Sequence, residues 1–262
     1  MIYFAILAHE NENVLKAQIE NFRHYNPECR VVVYNGGTNR YFGKSLNVEI
    51  CPFSRPLVYG NLVPFLLDVM KWLEETNVEY DYLVNFDHDV LFIKHGFKSF
   101  LDKMLNGYDC MGPHFLIQNT PYDYPDFGPG LSMWREWHKW QPFFMTDYFA
   151  RFFNPGQIYR KEIVKQMITG INMLELEKLW TSSNVFALEE MFFPTLAMIR
   201  GAKIRDYPWD FKESLEFVRH LGNITEEQIR KAKETPFYYW IHPIKGKKLN
   251  EISQWLLDID SI

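Results

Sequence analysis

Residues 2–8 form an unbroken apolar run, and Leu15, Ile19 and Phe22 follow it at helical spacing. The run reads as a strand buried on both faces and the later pattern as an amphipathic helix. Arg30 to Tyr34 gives a second strand, ended by the turn-forming Asn35, Gly36 and Gly37, and Val48 to Cys51 a short third. Leu62, Phe65, Leu66, Val69, Met70 and Leu73 predict the next helix, with Pro64 tolerated in its first turn. Tyr82 to Phe86 is again strand-like. Strand and helix alternate as a doubly wound, mostly parallel α/β sheet requires.

Beyond it, Val90 to Ile93 is strand-like, Phe97, Phe100, Leu101, Met104 and Leu105 mark a helix, and Tyr108 to Met111 a short strand. From Gly112 to Phe153 the periodicity is lost among five prolines and many aromatic residues. So long an irregular segment is usually functional or disordered, and its aromatic richness disfavours disorder. Regular signals resume at Asn154 to Tyr159, followed by a helix from Lys161 carrying Ile163, Val164, Met167 and Ile168. Another helix runs from about Leu188 to Ile199, closed by Gly201, and Ala202 to Tyr207 reads as a late strand. Thr225 and Gln228 form a capping box, with Ile224 and Ile229 as its hydrophobic staple, which predicts a helix through Ala232.

A chain of 262 residues with 47% hydrophobic residues suits one larger α/β domain. A net charge of −5 argues against nucleic-acid binding, which needs a basic face. Cys29, Cys51 and Cys110 are far apart and odd in number, so neither a disulfide framework nor a zinc site is expected. The N-terminus lacks the features of a secretory signal, and no apolar run is long enough to span a membrane. The expectation is a cytoplasmic protein, free or peripheral to the inner face of the membrane.

Asp87 and Asp89 follow the strand-like Tyr82 to Phe86 directly. At a strand end, a D-x-D turn throws both carboxylates to one sheet edge, where Mn²⁺ or Mg²⁺ bridging a diphosphate needs little more than two such ligands. A solvated turn is the competing reading. Ala8, His9 and Glu10 after strand one, and Asn35 after strand two, lie where open sheets bind ligands and could contact base and ribose. They could equally serve as caps and turns, with Asn11 or Asn13 capping the helix. Glu189 and Glu190 open a late helix, whose dipole favours an ionised carboxylate able to act as a base. Acidic first turns are also common without function. His242 could complete a metal shell, and Lys245, Lys247 and Lys248 could neutralise a diphosphate. Otherwise His242 is structural and the lysines solvated. Tyr122, Trp134 and Trp137 could stack on sugar rings, or pack into the core.

In order, these landmarks resemble the GT-A glycosyltransferase fold: an α/β nucleotide-binding half (1–111), D-x-D at a central strand end, an acceptor-binding half (112–262), an acidic pair opening a late helix, and a C-terminal histidine. Ile6 to His9 and Leu188 to Leu196 look most like the group containing branching β-1,6-N-acetylglucosaminyltransferases and protein xylosyltransferases. That resemblance implies Glu190 as catalytic base, with Glu189 beside it positioning acceptor hydroxyls. Members of that group typically lack a true D-x-D; Asp87 and Asp89 look like metal-dependent relatives, in which His242 would be a third ligand. Asn154 resembles a residue bordering the acceptor site. The implied activity is inverting transfer from a nucleotide-diphosphate donor, with UDP-sugar first in mind, to a carbohydrate or glycoconjugate. A sugar nucleotidyltransferase is an alternative, but residues 8–13 contain no glycine for its phosphate loop. A non-catalytic carbohydrate-binding protein is another.

Overall fold

The computed structural model describes residues 1–260. Its first part alternates strand and helix: β1 (Ile2–Ala8), α1 (Glu12–Tyr25), β2 (Arg30–Asn35), β3 (Glu49–Ile50), α2 (Val63–Glu75), β4 (Tyr82–Asp87), β5 (Leu91–Phe92), α3 (Phe97–Met104) and β6 (Cys110–Gly112). There follow β7 (Leu116–Gln118), α4 (Gly128–Phe144), β8 (Phe149–Arg151), β9 (Ile158–Arg160), α5 (Lys161–Ile168), α6 (Met173–Thr181) and α7 (Glu189–Ile199). The chain continues through β10 (Ile204–Asp206), α8 (Phe211–Ser214), α9 (Glu226–Glu234), β11 (Trp240–Ile241) and α10 (Lys247–Ile259).

The main sheet has the order β10-β6-β9-β4-β1-β2-β3. Every pairing in it is parallel except those of β9, which runs antiparallel to both β4 and β6. Strand alternation divides the core into two layers. Ile2, Phe4, Ile6 and Ala8 of β1 pack with α1, α3 and α10, whereas Tyr3, Ala5 and Leu7 pack with α2, α4, α5 and α7. Because both faces are covered, the central strands are apolar throughout rather than alternating.

The segment expected to be irregular contains a helix. Met133, Trp137, Trp140 and Phe144 form the buried stripe of α4, at spacings of four and three. Pro129 lies in its first turn, where an N–H has no intrahelical partner, and Pro142 in its last, where a single bond to His138 O is forgone near the helix end, so the prolines hide a helical pattern without breaking it. Helices α6 and α10 also lie where no helix was expected. Leu249, Ile252 and Leu256 seat α10 on the α1 layer, and Ser253 Oγ donates to Ala17 O at 3.1 Å. The predicted capping box at Thr225 and Gln228 is formed on both sides. No helix among the described residues is long and apolar enough to cross a membrane.

Candidate active site

Three parallel strands end at one level. Ala8 of β1 pairs with Asn35 of β2, and Leu7 pairs with Asp87 of β4. Since β2 and β3 lie to one side of β1 and β4 to the other, the crevice beyond β1 and β4 is the topological switch point, where open α/β sheets receive ligands.

The turn that carries the aspartates is held from below by α1. Gln18 Nε2 donates to Asp87 O at 2.7 Å and to Val90 O at 3.0 Å, while Asn21 accepts from Phe92 N at 2.7 Å and donates to Phe92 O at 3.0 Å. Both are fully buried polar residues on an otherwise apolar helix face. His242 arrives by a second device. β11 pairs antiparallel with β5, setting Ile241 against Leu91, so the residue after β11 lies beside the residues before β5. Ile244 N closes the junction by donating to Asp89 O at 2.8 Å.

Asp87, Asp89 and His242 each place a donor atom within 4.8 Å of the others. His242 Nε2 lies 3.1 Å from Asp89 Oδ1. That oxygen is nevertheless buried without a hydrogen-bond partner of good geometry, as is His242 Nδ1. Burial and then Asp89 push the Asp87 carboxyl above its ordinary value. Burial, the largest single influence, opposes the charge on Asp89 too, but His242 together with His88 and Lys245 holds that carboxyl low; the His242 imidazole is in turn raised by Asp89 and Asp87 against its own burial. Two crowded carboxylates, one orphaned acceptor oxygen and an imidazole fit a divalent cation of the Mn²⁺ or Mg²⁺ kind.

Glu189 and Glu190 open α7 and are buried. Burial works against the helix dipole at both carboxyls. Burial lifts Glu189 to about 7, and burial together with Glu189 lifts Glu190 to about 8, against the opposing charge of Arg151. Glu189 Oε2 accepts from Leu62 N at 3.0 Å, so this carboxylate anchors the entry to α2. Asn154 links the acidic pair to the aspartates: its N–H reaches Glu190 Oε1 at 3.4 Å and its Nδ2 reaches Asp87 Oδ1 at 3.4 Å. Its Oδ1 accepts from Asn85, whose own Oδ1 accepts from Gln157 N at 2.8 Å. Asn154 is thus a buried bridge between the two carboxylate groups.

Other expected site residues divide. Ala8 is buried in the sheet, whereas His9 and Glu10 are exposed just beyond it, the His9 ring set edge-on to His88 at 5.6 Å. The Asn35 side chain is spent on its own loop, donating to Asn39 O at 2.8 Å and accepting from Gly37 N at 3.0 Å, which is the turn reading. Lys245 is exposed, and its charge helps lower Asp89. Lys247 and Lys248 begin α10. Trp137 is buried in the core, 5.4 Å from Phe149 ring to ring, and the partly buried Trp134 packs on both; Tyr122 stands in solvent at 85% exposure. Gln18, Asn21, Asn85 and Arg151 were not anticipated. Polar residues at positions 18 and 21, inside the apolar stripe of α1, were the available signal for the first two.

No protein-family model matches the chain, and no curated protein matches it. Among solved structures, the galactosyltransferase LgtC in complex with donor and acceptor sugar analogues is similar over 99% of this chain and 95% of its own, at 11% identity and a TM-score of 0.50. A structure of LgtC with an active-site glutamine changed to glutamate is similar over 98% and 95%, at 13% identity and a TM-score of 0.51. A mostly parallel seven-stranded sheet, layered by helices on both faces and matched end to end by these structures, is the GT-A glycosyltransferase fold.

Proposed function

We propose that this chain is a glycosyltransferase that moves a sugar from a nucleotide-diphosphate donor, UDP-sugar foremost, to a carbohydrate or glycoconjugate. The observation that carries the reading is the convergence of Asp87, Asp89 and His242 at the switch-point crevice, joined through Asn154 to Glu190. Asp87, Asp89 and His242 would hold the divalent cation, which would supply positive charge to the departing diphosphate. Ala8, His9 and Glu10 border the place for the nucleotide, and the exposed Lys245 adds charge near Asp89. The cation set favours metal-dependent GT-A relatives over the branching group that the Glu189–Glu190 segment resembles.

Glu190, once ionised, takes the proton from the acceptor hydroxyl at its carboxylate, while that oxygen attacks the anomeric carbon from the side opposite the nucleotide and inverts it. Arg151 sets the balance of charge around that carboxylate. With Trp137 in the core, a groove of about 480 Å³ between residues 55–64 and 177–186 offers the acceptor its aromatic faces. Tyr59 and Phe186 stand there 5.8 Å apart.

A thermal-shift panel of nucleoside diphosphates, each with and without Mn²⁺, tests the reading. A Tm rise for one nucleotide that requires Mn²⁺ is expected; no response to any nucleotide points to simple carbohydrate binding and removes the transferase. The anomeric configuration of the product, read by proton NMR, decides between inversion and retention.

A further inference from the structure

Away from the aspartates, three elements distant in sequence bring two imidazoles and a carboxylate together. His24 lies in the last turn of α1, His95 between β5 and α3, and Asp260 at the C-terminal cap of α10. One donor atom of each lies within 4.8 Å of the others. His24 Nε2 is 3.9 Å from Asp260 Oδ2, too far for a hydrogen bond, and it is buried without any hydrogen-bond partner. The two imidazoles stand 5.1 Å apart and both pack on the Tyr25 ring, at 4.8 and 4.9 Å, which fixes their mutual arrangement. Lys233 Nζ takes Asp260 Oδ1 at 2.7 Å and the Tyr25 hydroxyl also interacts with this carboxylate, while Oδ2 lies toward His24.

A nitrogen and an oxygen 3.9 Å apart leave room for an ion between them: two metal bonds of roughly 2.0–2.2 Å span about 3.4 Å at the tetrahedral angle, so a closure of about 0.5 Å seats it. Two imidazoles and one carboxylate select a borderline ion such as Zn²⁺ or Co²⁺, whereas the carboxylate-dominated pair at Asp87 and Asp89 suits a hard one. We propose that His24, His95 and Asp260 form a second cation site, of the Zn²⁺ type, that clasps the end of α10 to α1 and to the turn before α3. The site is independent of the transferase reading, and its occupant would be structural. It adds a fastening at the C-terminal end of α10, beyond the contacts of Leu249, Ile252 and Leu256.

The test uses the untagged chain carrying Asp89→Ala, which removes the aspartate site, titrated with Co²⁺ while visible d–d absorption and Tm are followed. One equivalent of Co²⁺ with visible bands and a Tm rise is expected. Both signals should be lost on adding His95→Ala, an exposed position, and separately on adding Asp260→Asn, which keeps the side-chain shape, with circular dichroism confirming the fold. Absence of Co²⁺ binding in the Asp89→Ala background, or bands that persist in both added variants, overturns the proposal.

Discussion

Replacing Glu190 by glutamine should make the protein more stable at alkaline pH while abolishing transfer. The folded-state pKa of Glu190 is raised from 4.5 to about 8, chiefly by burial and then by Glu189. Below pH 4.5 both folded and unfolded states hold the proton, and nothing depends on pH. Above it the unfolded chain ionises while the folded protein keeps its proton, so stability falls as pH rises and levels off past about 8. At 1.36 kcal/mol per pH unit the full loss is about 5 kcal/mol, comparable with the whole stability of a marginal domain. Glutamine has nearly the same shape and no charge to bury. Glu190→Gln should therefore lie within about 1 kcal/mol of wild type at pH 5 and about 3–5 kcal/mol above it at pH 9. Urea unfolding from pH 5 to 9, followed by tryptophan fluorescence, measures the difference. Parallel stability curves for the two proteins would refute the burial argument. In the wild type the ionised fraction of Glu190 grows from about a tenth at pH 7 to about nine-tenths at pH 9, so kcat/KM should climb about tenfold over the interval in which the stability curve flattens.

Asp89→Ala should remove both transfer and the Mn²⁺-dependent part of the nucleotide Tm shift; turnover that survives would take Asp89 out of its role. Gly156→Ala should destabilise by about 2–5 kcal/mol in denaturant unfolding, from left-handed backbone and overpacking together. Gly156 has φ +93°, and a Cβ there would meet buried Trp240 at 2.4 Å. Trp137→Ala should cost about 3–5 kcal/mol of stability, and Tyr122→Ala less than about 0.5, because only the former leaves a core cavity. A large acceptor-KM effect in Trp137→Ala without loss of stability would reverse that assignment.

The parallel frame was legible because β1, β2 and β4 are buried on both faces and so are written as continuous apolar runs. The place of Asp87 at the end of β4 followed from it. His242 was legible as a residue type but not as a neighbour of Asp89: that proximity comes from the two-residue pairing of β11 with β5, too short to leave a periodic signal. Helix α4 was hidden because it buries Met133, Trp137, Trp140 and Phe144 on one side while Trp134 and Phe143 are partly buried on others, which blurs the amphipathic contrast. Asn154 was placed beside the acceptor by resemblance; its bridging role depends on β9 running antiparallel next to β4, a pairing between residues more than seventy apart in sequence. The helix dipole invoked for Glu189 and Glu190 is opposed by burial, which raises both carboxyls. A helix terminus contributes about 0.3–1 kcal/mol to a charge near a surface, against several kcal/mol for burying one.

The acidic groups also act on one another across the crevice. Asp87 is among the charges that raise both Glu189 and Glu190, although Arg151 and His242 stand nearby with the opposite sign. Four buried or half-buried carboxyl groups facing so few cationic partners leave an excess of negative potential in a poorly hydrated space. Such an arrangement is unfavourable for an empty, fully ionised site and is relieved by taking up protons or cations. The protons held by the glutamates and the cation expected at the aspartates are alternative answers to the same excess charge. Whatever neutralises Asp87 therefore favours the ionised form of Glu190, the form that can accept a proton, and Asn154, hydrogen-bonded to both, fixes the geometry over which that coupling acts.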